Sequence, residues 1–305
     1  MHKGILYELK KNRILFIMFL PAALYFLIFA YLPMPGIVVA FKDFNYTDGI
    51  FLSKWVGLEN FRFFILSGKL LNITQNTVLY NLIFLAVNTC FEVTTAIILA
   101  ELAGKRYKKI CQSITFLPHF VSWVVVSAFA YNLLNYEIGT VNSLIRMTGK
   151  QPMDFYNTGW YWYIIMPVAC AWKHVGYGAV VYLAAVMGID RQCYEAAEID
   201  GTSLFQRIKY ITLPLLVPTM VTLALLRMGR ILRGDFEMFY QMVGGSSLIF
   251  KYTDVIDTFV FRSLIQSSDI GMASAAGFYQ SVFCFVFIMA TNSAIKKYKS
   301  DYALF

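Results

Sequence analysis

Residues 14–34 read ILFIMFLPAALYFLIFAYLPM, an apolar run that contains no charged side chain. An α-helix rises about 1.5 Å per residue, so about 20 such residues cross the hydrocarbon core of a bilayer, which is about 30 Å thick. Basic residues precede the run, as in a signal peptide. The run is longer than the apolar core of a signal peptide, however, and no small-residue cleavage site follows it. We therefore expect an uncleaved transmembrane helix here.

Five more apolar blocks of comparable length follow, separated by charged stretches. The composition agrees, because 58% of the residues are hydrophobic and 14% are charged, against about 25% charged residues in an average soluble domain. It excludes a disordered chain, a nucleic-acid-binding domain and a small disulfide scaffold. The sequence predicts an all-α integral membrane protein, with one transmembrane domain over residues 1–305 and six transmembrane helices. The predicted spans are residues 14–34, 77–103, 111–134, 161–188, 211–232 and 276–295.

Lysine and arginine concentrate in four segments: the amino terminus, the turn between spans two and three, the loop between spans four and five, and the tail. Cytoplasmic loops of membrane proteins are enriched in these residues. Because the four segments alternate along the chain, all of them can be cytoplasmic, which predicts that both termini are cytoplasmic. The net charge of +8 then reports orientation and requires no nucleic-acid partner. These residues are Lys3, Lys10, Lys11, Arg13, Lys105, Arg106, Lys108, Lys109, Arg191, Arg207, Lys209, Lys296, Lys297 and Lys299.

The sequence carries no motif for catalysis or metal binding. Its three Gly-Lys pairs are followed by Leu, Arg and Gln, so none completes the phosphate loop G-x-x-x-x-G-K-[ST], and HExxH and GxSxG are absent. The five cysteines form no CxxC pair and read as free cysteines packed in membrane helices. We therefore expect no enzyme activity, metal site or cofactor in this chain. An ATP-driven role needs an ATPase on another polypeptide.

The loop between spans four and five, residues 190–209, is too polar to cross the membrane and too long for a simple turn. The residues Glu195–Ala197 are strong helix formers, Asp200 and Gly201 form a helix-breaking pair, and the Thr-Ser pair that follows can cap a second helix. The sequence predicts a helix, a glycine turn and a second helix along the cytoplasmic surface. Small alanines let another surface approach closely, so we expect a docking element.

A longer pattern surrounds this loop. The segment matches E-A-A-x-x-x-G-x9-I-x-L-P at every fixed position, and it resembles the EAA motif of binding-protein-dependent ABC transporter permeases. The resemblance implies that residues 190–209 hold the coupling helix, which inserts into a cleft of the nucleotide-binding subunit. The ATPase-coupling residues are then Glu195, Ala196, Ala197, Asp200, Gly201, Ile211, Leu213 and Pro214.

The resemblance extends over nearly the whole chain. Segments beginning at Trp55 (WVGLENF), Phe116 (FLPHFVSWVV), Asp254 (DVIDTFVFRSLI) and Gly271 (GMASAAGFYQSV), with the closing ALF, look like the carbohydrate branch of these permeases. The resemblance implies a type I ABC importer permease in the cell membrane that transports oligosaccharides or polysaccharide-derived sugars. It also implies a second permease subunit as heterodimer partner, an ATP-binding subunit dimer that holds ATP and magnesium, and an extracellular solute-binding protein.

Three arginines lie near the outer end of span five. The spacing of Arg227, Arg230 and Arg233 puts them roughly on one side of a helix. They can line the external part of the translocation path and bind hydroxyls or carboxylates of a sugar, because arginine offers a fork of donors. The alternative is that they reach the outer interface or pair with Asp235 and Glu237.

Charged residues also occur near the middle of other spans, where they are costly. Glu92 in span two and Lys173 in span four lie at similar depth, which predicts a buried ion pair between the two helices. The rival interpretation is a polar wall of the substrate path, formed by Lys173 with Trp172, His174 and Tyr177.

Three other functions compete with a sugar importer. An ABC permease for a non-sugar solute, such as a peptide or an amino acid, shares the coupling motif. An ion-coupled secondary transporter would use Glu92, Lys173 and His174 as an ion relay, and it leaves the loop at residues 190–209 unexplained. A receptor or scaffold subunit would bind partners without transport.

Overall fold

The computed structural model describes residues 11–66, 68–266 and 268–298, and the described chain is almost entirely helical. Five of its helical segments are long and apolar enough to cross a membrane, and a bent pair of helices supplies a sixth span. The α-helices are α1 (Arg13–Phe26), α2 (Gly49–Leu52), α3 (Glu59–Leu66), α4 (Lys69–Glu101), α5 (Lys105–Phe116), α6 (Trp123–Leu134), α7 (Thr140–Met147), α8 (Trp162–Met187), α9 (Arg191–Ile199), α10 (Leu204–Arg207), α11 (Leu213–Met228), α12 (Phe236–Val243), α13 (Phe250–Thr253), α14 (Ile256–Gln266) and α15 (Ile270–Tyr298).

These segments confirm the predicted all-α membrane fold, with five spans, or six when the bent pair is counted as one span. The spans are Arg13–Phe41, Leu70–Glu101, Lys105–Leu134 as the bent pair, Gly159–Met187, Leu204–Met228 and Ile270–Lys297. The predicted cytoplasmic position of the termini stays a prediction, and Lys3, Lys10, Lys299 and the closing ALF lie outside the described residues.

The third span, predicted over residues 111–134, is broken into two helices near Pro118. Helices α5 and α6 meet at 92°, and the connection contains a 3₁₀ turn at Leu117–Phe120. Pro118 has no N–H to continue a helix, and Ser122 caps the next helix by accepting a hydrogen bond from the Val125 amide at 3.4 Å. The sequence therefore encodes a break in the middle of an apolar run.

The first span also changes its helical form along its length. Helix α1 continues as a π-helical turn at Leu27–Tyr31 and then as a 3₁₀ helix at Met34–Phe41. Pro33 and Pro35 have no N–H for the carbonyls of Phe29 and Tyr31, so the regular hydrogen-bond pattern does not resume after the π-helical turn. Helix α1 contains no buried residue, and the rest of the described chain leaves it exposed.

Helices α4 and α8 form the centre of the bundle. Two glycines of α8 allow neighbouring groups to approach closely: a Cβ added at Gly176 would lie 1.9 Å from the Thr115 carbonyl oxygen of α5. A Cβ added at Gly178 would lie 2.1 Å from the Glu92 carboxylate of α4. Small residues at helix contacts are typical of membrane bundles, where close packing replaces the hydrophobic effect as the main attraction.

The segment between α11 and α15 packs on one end of the bundle, opposite the loop at residues 190–209. Side-chain amides of α4 hold its irregular backbone: the Asn81 amide donates to the carbonyls of Ile231 (3.0 Å) and Arg233 (3.1 Å). The Asn76 amide donates to the carbonyls of Lys251 (3.0 Å) and Asp254 (3.1 Å). These contacts supply the partners that a helix would otherwise provide.

A short ribbon follows the first span. Strands β1 (Lys42–Asp43) and β2 (Lys54–Trp55) pair antiparallel, with Lys42 opposite Trp55. The buried Lys42 ammonium donates to the carbonyls of Ile50 (3.0 Å) and Phe51 (2.6 Å) inside the connection between the strands. This lysine therefore stabilises the connection and is not a free surface charge.

The glycine contacts of α8 predict a large difference between two Gly-to-Ala substitutions in membrane helices. We expect Gly176→Ala to destabilise the protein by roughly 1–3 kcal/mol, because the methyl group would meet backbone atoms that cannot move aside. We expect Gly277→Ala in α15 to be neutral or to stabilise by up to about 1 kcal/mol, because nothing lies within 4 Å of its added Cβ. Thermal unfolding of the detergent-purified chain measures both, and equal shifts would contradict the described packing.

Candidate functional site: the coupling loop and the intramembrane charges

The loop at residues 190–209 has the predicted helix, glycine turn and second helix. Helix α9 ends in a Schellman motif: the Thr202 amide donates to the Ala197 carbonyl at 3.1 Å, and the Gly201 amide donates to the Glu198 carbonyl at 3.0 Å. Gly201 has a φ of +71°, in the left-handed region that glycine adopts without strain. The left-handed conformation at the end of α9 therefore explains why the motif has glycine at position 201.

The second helix of the loop has a capping box at its start. The Ser203 hydroxyl accepts a hydrogen bond from the Gln206 backbone amide (3.4 Å), and the side-chain oxygen of Gln206 accepts one from the Ser203 backbone amide (2.8 Å). This capping box satisfies two backbone donors at the start of α10. Arg207 of α10 forms an ion pair with Glu198 of α9. The two helices are thus joined by a side-chain contact as well as by the turn.

A π-helical turn at Ile208–Thr212 connects the loop to α11. Pro214 follows and has no amide hydrogen for the carbonyl four residues earlier, which explains the wider turn. The Tyr194 and Thr212 hydroxyls are 2.9 Å apart, and this hydrogen bond fastens α9 to the turn. The loop is therefore tied directly to the membrane helix that follows it.

The loop presents apolar side chains on its outer side. Ile199 is 88% exposed and Phe205 is 74% exposed. The two alanines of the motif differ, because Ala196 is exposed while Ala197 is buried against the chain itself. The expectation that both alanines offer an approach surface is therefore corrected for Ala197. Of the remaining coupling candidates, Ile211 is half-buried. The exposed ones are Glu195, Asp200, Gly201, Leu213 and Pro214.

The predicted ion pair between Glu92 and Lys173 is wrong. Glu92 is 1% exposed and pairs with Arg227, whose Nη2 lies 2.7 Å from each carboxylate oxygen. Arg227 also donates to the Thr89 hydroxyl at 3.4 Å. Gly178 leaves the space into which the carboxylate fits. Arg227 reaches Glu92 because the carboxyl end of α11 lies against α4. The depth of a residue along its own helix does not predict such a contact between helices.

Lys173 instead binds the backbone at the break between α5 and α6. Its Nζ donates to the His119 carbonyl at 3.0 Å and to the Val121 carbonyl. The break removes these carbonyls from any regular helix, and an unsatisfied carbonyl in the membrane is costly. The ammonium also lies 5.4 Å from the ring centroid of Trp123, the first residue of α6. Lys173 therefore stabilises the backbone at the break in the third span.

The other candidates for the substrate path lie on different sides of α8. His119 and Tyr177 stack with ring centroids 4.5 Å apart and an interplanar angle of 13°, and His174 lies edge-on to His119 at 5.6 Å. Tyr177 is 54% exposed, so this cluster borders an open surface. Trp172 lines a separate apolar cavity of about 770 Å³ between α4, α5 and α8. The structure thus brings His174 and Tyr177 together but not Trp172.

The three arginines of span five do not share one helix face, which corrects the predicted arrangement. Helix α11 ends at Met228, so Arg230 and Arg233 lie in the turns that follow it, and both are exposed. Near them, Asp257 accepts hydrogen bonds from the Gly234 amide (2.6 Å) and the Gln280 side chain (3.2 Å). Burial raises the pKa of Asp257, and these hydrogen bonds together with Arg233 oppose that rise.

Comparison with known proteins assigns the family. Residues 92–297, more than half of the chain, match the family described as the inner membrane component of binding-protein-dependent transport systems. The chain belongs to this family. The permease is 31% identical over 302 residues to the polygalacturonan/rhamnogalacturonan transport system permease protein YteP of Bacillus subtilis (strain 168), covering 98% of this chain and 92% of that protein.

Two solved structures are also similar to the permease over almost its full length. One is a bacterial ABC transporter involved in the import of the acidic polysaccharide alginate, with 30% identity, a TM-score of 0.86 and coverage of 97% of this chain and 100% of that chain. The other is a bacterial alginate ABC transporter in complex with an alginate pentasaccharide-bound periplasmic protein, with 29% identity, a TM-score of 0.85 and coverage of 97% and 98%. The permease is therefore a transporter component of the cell membrane with the type I fold.

Besides the partners of Glu92 and Lys173, sequence reasoning missed two further features of the permease. Trp123 donates from its indole nitrogen to the Asp235 carboxylate at 3.1 Å, which joins the broken span to α12. Gly178 gives Glu92 its space, and the only sequence signal was a Gly-x-Gly pair at positions 176 and 178 of an apolar span.

The permease contacts predict how three intramembrane charges couple in stability. In double-mutant cycles with glutamine, we expect Glu92 and Arg227 to couple by about 2 kcal/mol or more, because either single change leaves the other charge without its partner. We expect Glu92 and Lys173 to couple by less than about 0.5 kcal/mol. Equilibrium unfolding by SDS in mixed micelles measures both terms. A larger coupling for Glu92 with Lys173 would restore the original sequence prediction.

Proposed function

We propose that the chain is the permease subunit of an ATP-driven ABC importer for oligosaccharides or polysaccharide-derived sugars. The observation that carries this proposal is the complete motif over residues 195–214, whose first part lies in an exposed loop that is held by a Schellman motif and a capping box. The family assignment supports the transport role. The names of the relatives, which concern polygalacturonan, rhamnogalacturonan and alginate, support a sugar as the solute.

In this proposal α9 is the coupling helix and docks in a cleft of a partner ATPase. ATP and magnesium bind to that ATPase, and this chain contributes no catalytic residue. The exposed Ile199 and Phe205 supply apolar contacts, and Glu195 and Asp200 supply anionic ones. Closure of the ATPase dimer moves the loop, and the Tyr194–Thr212 contact passes that movement to α11. The spans then alternate between inward and outward access.

The proposed complex contains further subunits. Helix α1 has no buried residue, and lipid or a second permease subunit must cover it; we assign part of this surface to the second subunit, in a heterodimer. Both termini and the loop at residues 190–209 are cytoplasmic in this arrangement. An extracellular solute-binding protein then delivers the sugar at the opposite face, where the exposed Arg230 and Arg233 lie.

We place the substrate path along the open side of the cluster formed by His119, His174 and Tyr177. Aromatic rings there can stack on the apolar faces of sugar rings, and the imidazoles can bind hydroxyls. The relatives named above handle acidic polysaccharides, which supports a solute that carries carboxylates. An ion relay through Glu92, Lys173 and His174 has less support, because Glu92 pairs with Arg227 and Lys173 binds backbone carbonyls.

Two substitutions of Gly201 test the coupling role. The added Cβ has nothing within 4 Å, so only the positive φ resists a side chain. Asparagine tolerates this conformation, while β-branched valine does not. We expect Gly201→Val to lower ATPase co-purification and sugar uptake at least tenfold, and Gly201→Asn to retain most of both. The measurements are mass spectrometry of proteins bound to the tagged chain and uptake of labelled oligosaccharides by its host.

Membrane abundance of each Gly201 variant is the control, since a chain that fails to insert would also lose both readouts. If both variants bind an ATPase and support uptake as the wild type does, the loop does not couple through its glycine turn. If the wild-type chain brings down no ATPase under gentle extraction, the importer assignment itself fails.

A further inference from the structure

A second cavity lies at the end of the bundle opposite the coupling loop. It has a volume of about 1100 Å³ and is lined by residues of α12, α13 and α14 together with the start of α4. Its volume slightly exceeds the about 300–1,000 Å³ of sites for small ligands, so it has room for a ligand of several sugar units. The ion pairs and the stacked cluster described above take no part in this cavity. Its chemistry is therefore a separate question.

Aromatic rings form one wall of the cavity. Tyr240 and Phe261 line it, and their ring centroids are 5.1 Å apart at an angle of 70°. Behind them, Phe236 stacks on Tyr240 at 5.3 Å with an interplanar angle of 23°. Tyr240 is nevertheless 43% exposed, so the ring is held in place while part of its surface stays open. A fixed, open ring of this kind can stack on the apolar face of a sugar.

Basic side chains form the second feature of the cavity. Arg262 stacks over Phe250 at 4.2 Å and forms an ion pair with Asp254, which also accepts from the Thr258 hydroxyl at 2.6 Å. This pair neutralises the one acidic side chain among the described lining residues. Arginine carries five donors, so Arg262 keeps donors for a ligand after binding Asp254.

Lys251 gives the cavity a positive charge that no acidic lining residue neutralises among those described. Its side chain is exposed on the cavity lining, and its backbone carbonyl is fixed by the amides of Asn72 and Asn76 at 3.0 Å each. The charged groups of the lining are thus Lys251, Arg262 and Asp254, with a net charge of +1. A neutral sugar would not use this excess charge, whereas a carboxylate would.

We propose that this cavity is an external binding site for an acidic oligosaccharide, in which a uronate ring stacks on Tyr240 and its carboxylate is bound by Lys251 and Arg262. The site rests on the proposed function, because the orientation of the importer makes this end of the bundle external. It deepens that function by giving the acidic sugar a point of contact before the membrane path.

A reporter inside the cavity tests the proposal directly. The full-length chain with Tyr240→Trp, reconstituted in nanodiscs, is titrated with trigalacturonate and with its neutral methyl ester. We expect a saturable change in tryptophan emission with trigalacturonate and a much weaker response with the ester. The wild-type chain, in which no tryptophan is among the described lining residues, corrects for the emission of the five native tryptophans.

The charge is tested with two matched lysines. Added to the Tyr240→Trp chain, Lys251→Gln should raise the apparent dissociation constant for trigalacturonate about tenfold, as expected for the loss of a hydrogen bond to a charged group. Lys150→Gln changes an exposed lysine outside the lining, and it should have no effect. Equal effects of the two changes would overturn the assignment of the carboxylate to Lys251.

Two other results would overturn the site. One is an emission that responds to neither saccharide up to millimolar concentrations. The other is a response to the solute-binding protein without any sugar, which would make the cavity a protein-docking surface. Uptake of labelled trigalacturonate by cells keeps the two proposals apart: uptake without a cavity response removes only the site. Absence of uptake for every saccharide, together with no bound ATPase, removes the proposed function.

Discussion

The need to pair every backbone polar group inside the membrane governs this structure. Three spans contain irregular turns, and in each a side chain or a wider helical turn takes over the lost hydrogen bonds. Lys173 binds the carbonyls at the break in the third span, and Asn81 binds those after the end of α11. These polar residues in apolar segments are thus first explained by the backbone beside them. Only the polar residues that do not bind the backbone in this way are available for transport.

The pairing of Glu92 with Arg227 follows the same logic with charges. A carboxylate that is 1% exposed needs a partner, and it also needs room, which Gly178 provides on the facing helix. Removing any one of the three groups therefore disturbs the other two. Because the pair joins α4 to the far end of α11, it fixes where α11 crosses the bundle.

How far the sequence predicts the structure depends on the range of the interaction. The spans follow from runs of apolar residues, and the turn at Gly201 follows from local chemistry, so both could be predicted. The break near Pro118 could be suspected but not its 92° angle, since that depends on Lys173 reaching over from α8. The partner of Glu92 was missed because matching depths along two helices do not show which third helix brings a charge to the same place.

Helix α11 connects the two parts of the molecule that carry the functional argument. At one end the Tyr194–Thr212 hydrogen bond ties it to the loop at residues 190–209, and at the other end Arg227 ties it to α4. Within the proposed function, a displacement of the loop would pass through α11 to the pair with Glu92 and to α4. Helix α4 packs against α8, and Lys173 of α8 binds the backbone of the broken span, so the contacts continue to the cluster at His119 and Tyr177. Contacts at both ends of one helix thus connect the loop at residues 190–209 with the middle of the bundle.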